Sequence, residues 1–423
     1  MKRIFAFAFT AAVVCTAGAH TVEVVSANAR SPWNSILDVD FKIDGAAAGD
    51  LFKVEVSAKY GNGQKNLFAR TYVSEPVCGR GANRVSWNIG ADYPDLKTDD
   101  LQVAVTASPM NVDSLDVYMV IDLSSGPESK RYPVSYTFTA PTLVPTNDLI
   151  ACAADPNRTT KLWLKRVKGT EFPFGGTDTN KGKGIFKARL SPFYMGIFEL
   201  TQMQYALVTD EWPSNMTNVL YRAARPVELV NYEDVIGHNR WPENRVVTES
   251  SYIGKMRSRT GLSTFSLPTE AQWECACRAG NTKSLTISKT TGRYNFAGES
   301  TRNEAPDEAG TAIVGSYIPN SWGLYDTLGN VWEMCLDAYI DDDGLVELYF
   351  GSNPGDDPIV NDPVGPGVNT SKEEYHATRG GGWNNSSAGY CTAYRRDRGC
   401  NPITGTRNKS IGFRVAVSPE WGE

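Results

Sequence analysis

Between His20 and about Ala140, apolar and polar residues alternate in short runs: TVEVVSA, ILDVDFKI, LFKVEVSAKY, NLFARTYV, NRVSWNI, LQVAVTAS, LDVYMVIDL and YPVSYTFTA. Successive side chains of a strand point to opposite faces. A period of two, broken by Gly, Asn and Pro, therefore predicts half-buried antiparallel strands.

Seven or eight strands at this spacing predict an all-β sandwich of immunoglobulin-like type over residues 20–140. No polar constellation within it has the make-up of a catalytic site, which leaves spacing, docking or carbohydrate contact as its uses. Pro141, Pro145 and Pro156 mark residues 141–157 as a linker. A second domain is expected over 158–420.

There the texture changes. LTQMQYALV opens with Thr201 and has Gln204 three residues on, and LPTEAQWECACRAG repeats the pattern with Thr269 and Gln272. Both are capping boxes, so each predicts a helix start, and Gly280 offers a stop for the second. SYIGKMRSRTGL, ended by Gly261, is a third candidate helix. From about Thr282 to Val417 the chain reads as loop-rich, and loops of that extent need ions, aromatic anchors or disulfides to hold one shape.

Composition refines this picture. With 423 residues, 41% hydrophobic and 21% charged, the chain can bury two cores. Residues 1–19 combine Lys2 and Arg3, an apolar stretch from Ile4 to Val14, and Ala17 and Ala19 before His20, which predicts a cleavable export signal and a periplasmic or secreted protein. No segment is long enough to predict a membrane span. The net charge of −6 with scattered Lys and Arg excludes a nucleic-acid footprint. Beyond the signal there are seven cysteines, an odd number for an oxidising compartment, so at least one thiol is left over. The three histidines, His20, His238 and His376, are too few and too scattered for a metal triad; His20 lies at the signal junction and the other two read as loop residues.

One stretch stands out chemically. GLYDTLGNVWE, residues 323–333, holds Asp326, Gly329, Asn330, Trp332 and Glu333. Calcium takes six to eight hard oxygens from carboxylates and carbonyls on a chain that bends around it. The same residues equally describe a glycine turn that seats Trp332 in the core and leaves Glu333 to a salt bridge, and the residues alone do not choose between the two. The acidic run DAYIDDDGL at 337–345 lacks EF-hand spacing and reads as a solvated loop.

In chain order the second half contains FYMGIFELTQMQYALV, RPVELVNYEDV, FSLPTEAQWECACRAG, NSWGLYDTLGNVWE, RGGGWNN and IGFRVAV. Together these resemble the sulfatase-modifying-factor family, the formylglycine-generating-enzyme-like domains, from about residue 158 to 418. The resemblance implies an irregular α+β fold related to C-type lectins. It implies a structural calcium at Asp326, Glu333 and the carbonyls of Gly329 and Val331, and a weaker second site at Asn295 and Asp307. It also implies a cysteine at Cys277, from which a disulfide to Cys391 is the first pairing expected, with Cys335 to Cys400 second.

Active members of that family hold Cu(I) with two thiolates just after an RGGS motif, with four residues between them. Here Gly382 stands at the serine, Asn385 at the first thiolate, and Tyr390, or Cys391 with one insertion, at the second. A neutral amide oxygen is too hard a donor to replace a thiolate for Cu(I), so the sequence argues against copper. Arg379, Arg395 and Arg414 are expected as structural ion-pairing residues. Trp383, Tyr394 and Arg396 are expected to line a cleft suited to a peptide, protein or carbohydrate ligand. The sequence thus favours an exported, divergent ligand-binding member. The alternative is an active oxidase that converts a sulfatase cysteine to formylglycine, or a related oxidoreductase, and in that case alone a sulfatase is the partner.

Overall fold

The computed structural model describes residues 15–17, 20–30, 35–46, 50–98, 100–175, 185–237, 246–281, 294–296, 310–350, 358–365, 375–400 and 407–418. The chain divides into two compact units, Met1–Ile121 with Pro133–Ala140, and Asp122–Tyr132 with Pro141–Glu423. Residues 141–157, expected as a linker, group with the second unit and carry the short helices Leu149–Ala153 and Pro156–Thr159.

In the first unit each of the eight alternating runs contains a strand. One sheet pairs His20–Ala29 with Leu37–Asp44, and Leu37–Asp44 with Gly81–Trp87, all antiparallel. In the other, Leu51–Tyr60 is central and pairs with Lys65–Phe68, Val77–Gly79 and Gln102–Pro109. Alternation decides which side chains go inside: Leu37, Val39, Phe41 and Ile43 from one sheet join Phe52, Val54, Val56 and Ala58 from the other in a single core. In His20–Ala29 the register shifts between Val24 and Ser26, so the buried positions run Val22, Val24 and then Ala27, while Val25 is left exposed. Strands were predicted here and strands are found; Tyr118–Asp122 and Val134–Thr137 belong to neither of these two sheets.

The second unit is built from small sheets and short helices. Lys161–Val167, Phe193–Gly196, Ala416–Val417 and Phe265–Ser266 pair antiparallel in that order. A second sheet joins Asp397–Cys400, His376–Arg379, Trp332–Ala338 and Ile411–Gly412. Both predicted capping boxes form, Thr201 with Gln204 ahead of helix Gln202–Thr209 and Thr269 with Gln272 ahead of helix Glu270–Arg278. The second helix stops one residue earlier than expected, with Ala279 in the left-handed cap position and Gly280 after it. Ser251 caps the third helix, Tyr252–Thr260, and Gly261 closes it.

Two local readings are corrected. The acidic run at 337–345 is no solvated loop: Asp337 is buried on a strand, where it accepts from the Glu270 backbone N–H at 2.7 Å, and Asp342–Phe350 is a helix. His376 is no loop residue either. It lies buried on a strand, stacked on Tyr232 with ring centroids 3.5 Å apart, and its Nδ1 is 3.0 Å from the Leu336 carbonyl. His238, Asp307 and the side chain of Cys400 lie outside the described residues.

Candidate functional site

The floor of the second unit is a buried charge network. The Thr269 cap starts a helix that puts Glu270 and Glu274 four residues apart, hence on one face. Arg379 reaches Glu270 at 3.0 Å and Glu274 at 2.5 Å, Arg396 reaches Glu270 at 2.7 Å, and Arg278 reaches Glu274 at 2.6 Å. Burial alone would push the Glu270 carboxyl up, but Arg396 and Arg379 outweigh it and hold the group below the usual carboxylate range. Arg396 also donates to the Ile340 carbonyl at 2.7 Å. Its side chain is 4% exposed, so the expectation that it lines a cleft is corrected. Tyr394 is buried as well.

The 323–333 stretch folds back through four left-handed residues, Gly323, Asp326, Gly329 and Asn330. At Gly329 a methyl group would lie 2.7 Å from the Asn295 carbonyl oxygen, so only glycine fits. Asn330 donates to Glu199 at 2.5 Å and accepts from the Asn295 side chain at 3.1 Å and the Ala312 N–H at 2.8 Å. Glu199 also accepts from the Val331 N–H at 2.9 Å. Glu333, expected as a calcium ligand, is engaged otherwise: Arg414 donates to both its oxygens at 2.6 Å, and the Trp273 indole donates at 2.7 Å.

Asp326 accepts from the Gly315 N–H at 2.6 Å and lines a cavity of about 300 Å³ with Tyr294, Ile318 and Asn320. Burial raises the Asp326 carboxyl to about 6, only partly offset by the Gly315 N–H and Arg414. Burial, with Asp326 and Glu333 nearby, raises Glu199 well above the carboxylate range. Three buried carboxylates therefore sit around the Arg414 guanidinium. The donors are all hard oxygens and negative charge is in surplus, which suits an added Ca²⁺. Among the described residues, however, no group of three or more His, Cys, Asp or Glu side chains is arranged to hold a metal.

Among the described side chains after Arg379 there is no thiolate pair. Asn385 closes a turn, its side-chain oxygen accepting from the Gly382 N–H at 2.6 Å. Tyr390 is 37% exposed and meets Trp332 edge-on at 6.5 Å. Cys391 is fully buried, and burial pushes its thiol up to about 12. A methyl at Gly381 would lie 2.5 Å from its sulfur, which shows how closely backbone covers it. Copper does not fit this segment. The expected bridge from Cys277 to Cys391 is also corrected, since both are free, buried thiols packed in one apolar cluster with Trp273, Phe296 and Cys335. Cys335 is free as well.

Sequence reasoning missed two things here. Glu199 and Glu270 sit beside the capping threonines, where the boxes drew attention instead. Arg395, expected as an ion-pairing residue, meets Asp397 at 3.6 Å but is 41% exposed and lies over the Tyr390 ring at 4.5 Å, a surface placement the sequence did not indicate. No helix among the described residues is long and apolar enough to cross a membrane.

The family profile described as "Sulfatase-modifying factor enzyme 1-like domain" matches residues 156–419. A formylglycine-generating enzyme of Streptomyces coelicolor is 28% identical over 217 residues, covering 47% of this chain and 55% of its own length. The serine/threonine-protein kinase pkn1 of Chlamydia pneumoniae is 35% identical over 263 residues, covering 59% of this chain and 37% of its own. Among solved structures, Treponema denticola variable protein 1 is 24% identical with a TM-score of 0.43, covering 62% of this chain and 96% of its own. The chain spans about half the length of the formylglycine-generating enzymes it matches first, 55% and 59%. Through the domain at residues 156–419, the chain belongs to the sulfatase-modifying-factor family.

Proposed function

We propose that the protein is an exported, non-catalytic member of this family, whose second unit binds a ligand and whose first unit, an immunoglobulin-like sandwich, presents it. The observation that carries this is the state of the two thiolate positions. Asn385 is tied to Gly382 by its amide oxygen, Tyr390 is a surface aromatic, and Cys391 is a buried thiol held protonated at neutral pH. Cu(I) needs paired soft donors, and these side chains supply none that is both soft and accessible. The charged floor holds the fold, because its arginines and carboxylates neutralise each other internally.

Calcium at the 326–333 loop belongs to the same proposal, as a structural ion. Asp326 and the carbonyls of Gly329 and Val331 would hold it, and Glu333 would balance its charge from the Arg414 side. When bound, the ion would neutralise the carboxylate surplus.

Co-expression with a sulfatase that carries the cysteine motif tests the proposal, with mass spectrometry of the motif peptide as the readout. The expected result is an unmodified cysteine. A peptide with the mass of the aldehyde would make the protein an oxidase and overturn the reading.

A further inference from the structure

We infer that the face made by Trp383, Tyr390, Arg395 and Lys409 binds a carboxylate-rich peptide segment; this rests on the non-catalytic reading above and names its ligand class. The four residues form two pairs linked through Trp332. The Trp383 indole donates to the Lys409 carbonyl at 3.0 Å, and the Lys409 ammonium lies over the Trp383 ring at 5.4 Å. Next to Trp383, Gly382 packs on Trp332, which meets Tyr390 edge-on, and Arg395 covers Tyr390.

Charge chooses the ligand. From Asn384 to Arg398 the chain has three arginines and one aspartate on a protein of net charge −6. Arg396 is neutralised inside by Glu270, which leaves Arg395, Arg398 and Lys409 against Asp397. Asp397 engages Arg395 at only 3.6 Å, and the buried Nε of Arg395 has no hydrogen-bond partner among the described residues. A guanidinium fork matches a planar carboxylate in two parallel bonds, and resting it on an aromatic ring fixes it in advance. A cation also occupies one face of the Tyr390 ring and one of the Trp383 ring, which leaves a neutral sugar less aromatic surface to stack on. Tyr, Trp and Arg together are the composition of protein-recognition hot spots. Asn384, Ser386 and Ser387 are exposed beside them and supply a polar rim.

The test is fluorescence anisotropy of a labelled oligoglutamate peptide with the full chain, alongside an oligoglutamine peptide and a heparin oligosaccharide. The expected result is salt-sensitive binding of the glutamate peptide, weaker binding of the others, and a loss of roughly fivefold to tenfold in affinity for each of Arg395→Gln and Lys409→Gln. Arg395→Lys, which keeps the charge without the fork, should fall between. Unchanged melting of the variants shows that they fold. Equal binding of glutamine, preference for heparin, no binding, or affinity indifferent to both substitutions would each overturn the inference. The sulfatase conversion assay, run on the same preparations, separates the two readings. Conversion sinks the non-catalytic reading whatever the anisotropy gives, whereas absence of both sinks the ligand class alone.

Discussion

Lowering the pH from 7 to 5 should destabilise the second unit through His376, and His376→Phe should remove that sensitivity. The imidazole is fully buried against Tyr232 beside the Leu336 carbonyl, and burial depresses it from 6.5 to about 4. A base whose folded value is depressed is matched by an unfolded chain that takes up the proton first. Its contribution is whole above the unfolded value of 6.5 and is lost as the pH falls toward 4. The full loss is about 3 kcal/mol at ~1.4 kcal/mol per unit, and about 2 kcal/mol of it falls between pH 7 and pH 5. Asp337, one residue from Leu336, acts in the opposite direction, because burial raises its carboxyl to about 7 and the folded state then binds its proton first. The wild-type curve alone therefore mixes two signs. The informative quantity is the difference between wild type and His376→Phe, in which Asp337 cancels and the phenyl ring keeps the stack on Tyr232. Urea unfolding across this range should show the stability gap moving by about 2 kcal/mol in favour of the variant as pH falls. Parallel curves would refute the reasoning.

Other outcomes follow from the buried charges and thiols. Arg414→Met should cost about 3–5 kcal/mol by stranding the Glu333 carboxylate, and adding Glu333→Gln should restore part of it; denaturant titration decides. Calcium should raise the melting temperature, by about 2.7 kcal/mol of stability at a hundredfold excess over Kd, and a chelator should reverse it. Asp326→Asn should stabilise the calcium-free protein, since it removes surplus charge, and should abolish the calcium response. Alkylation in denaturant without reductant should label both Cys277 and Cys391, and a cross-linked peptide joining them would contradict the free thiols seen here.

Local chemistry was readable and distant pairing was not. The alternation from Val22 to Ala107 marked out the strands of both sheets in the first unit, because a period of two is a local signal, but not the register shift after Val24 that leaves Val25 exposed. Thr201 and Thr269 announced their helices for the same local reason. The partners of the charged residues were out of reach, since Glu270 meets Arg396 across 126 positions and Glu199 meets Asn330 across 131. Arg395 and Arg396 are neighbours with opposite fates, one over an exposed tyrosine and one sealed against Glu270, and no local rule separates them. The family blocks located the degenerate positions Asn385 and Tyr390, yet composition could not tell that Cys277 and Cys391 would stay reduced.

Every residue of the nine-residue helix Glu270–Arg278 is buried; Glu274 has Arg278 within the helix, whereas Glu270 is answered by Arg379 and Arg396, more than a hundred positions later. Until those arginines arrive, a nascent chain would have to bury the Glu270 carboxylate without its two arginine partners, or leave the helix in water. Completion of this unit is therefore postponed to the last stretch of synthesis, and a C-terminal truncation before Arg379 should yield an aggregation-prone product instead of a smaller folded one.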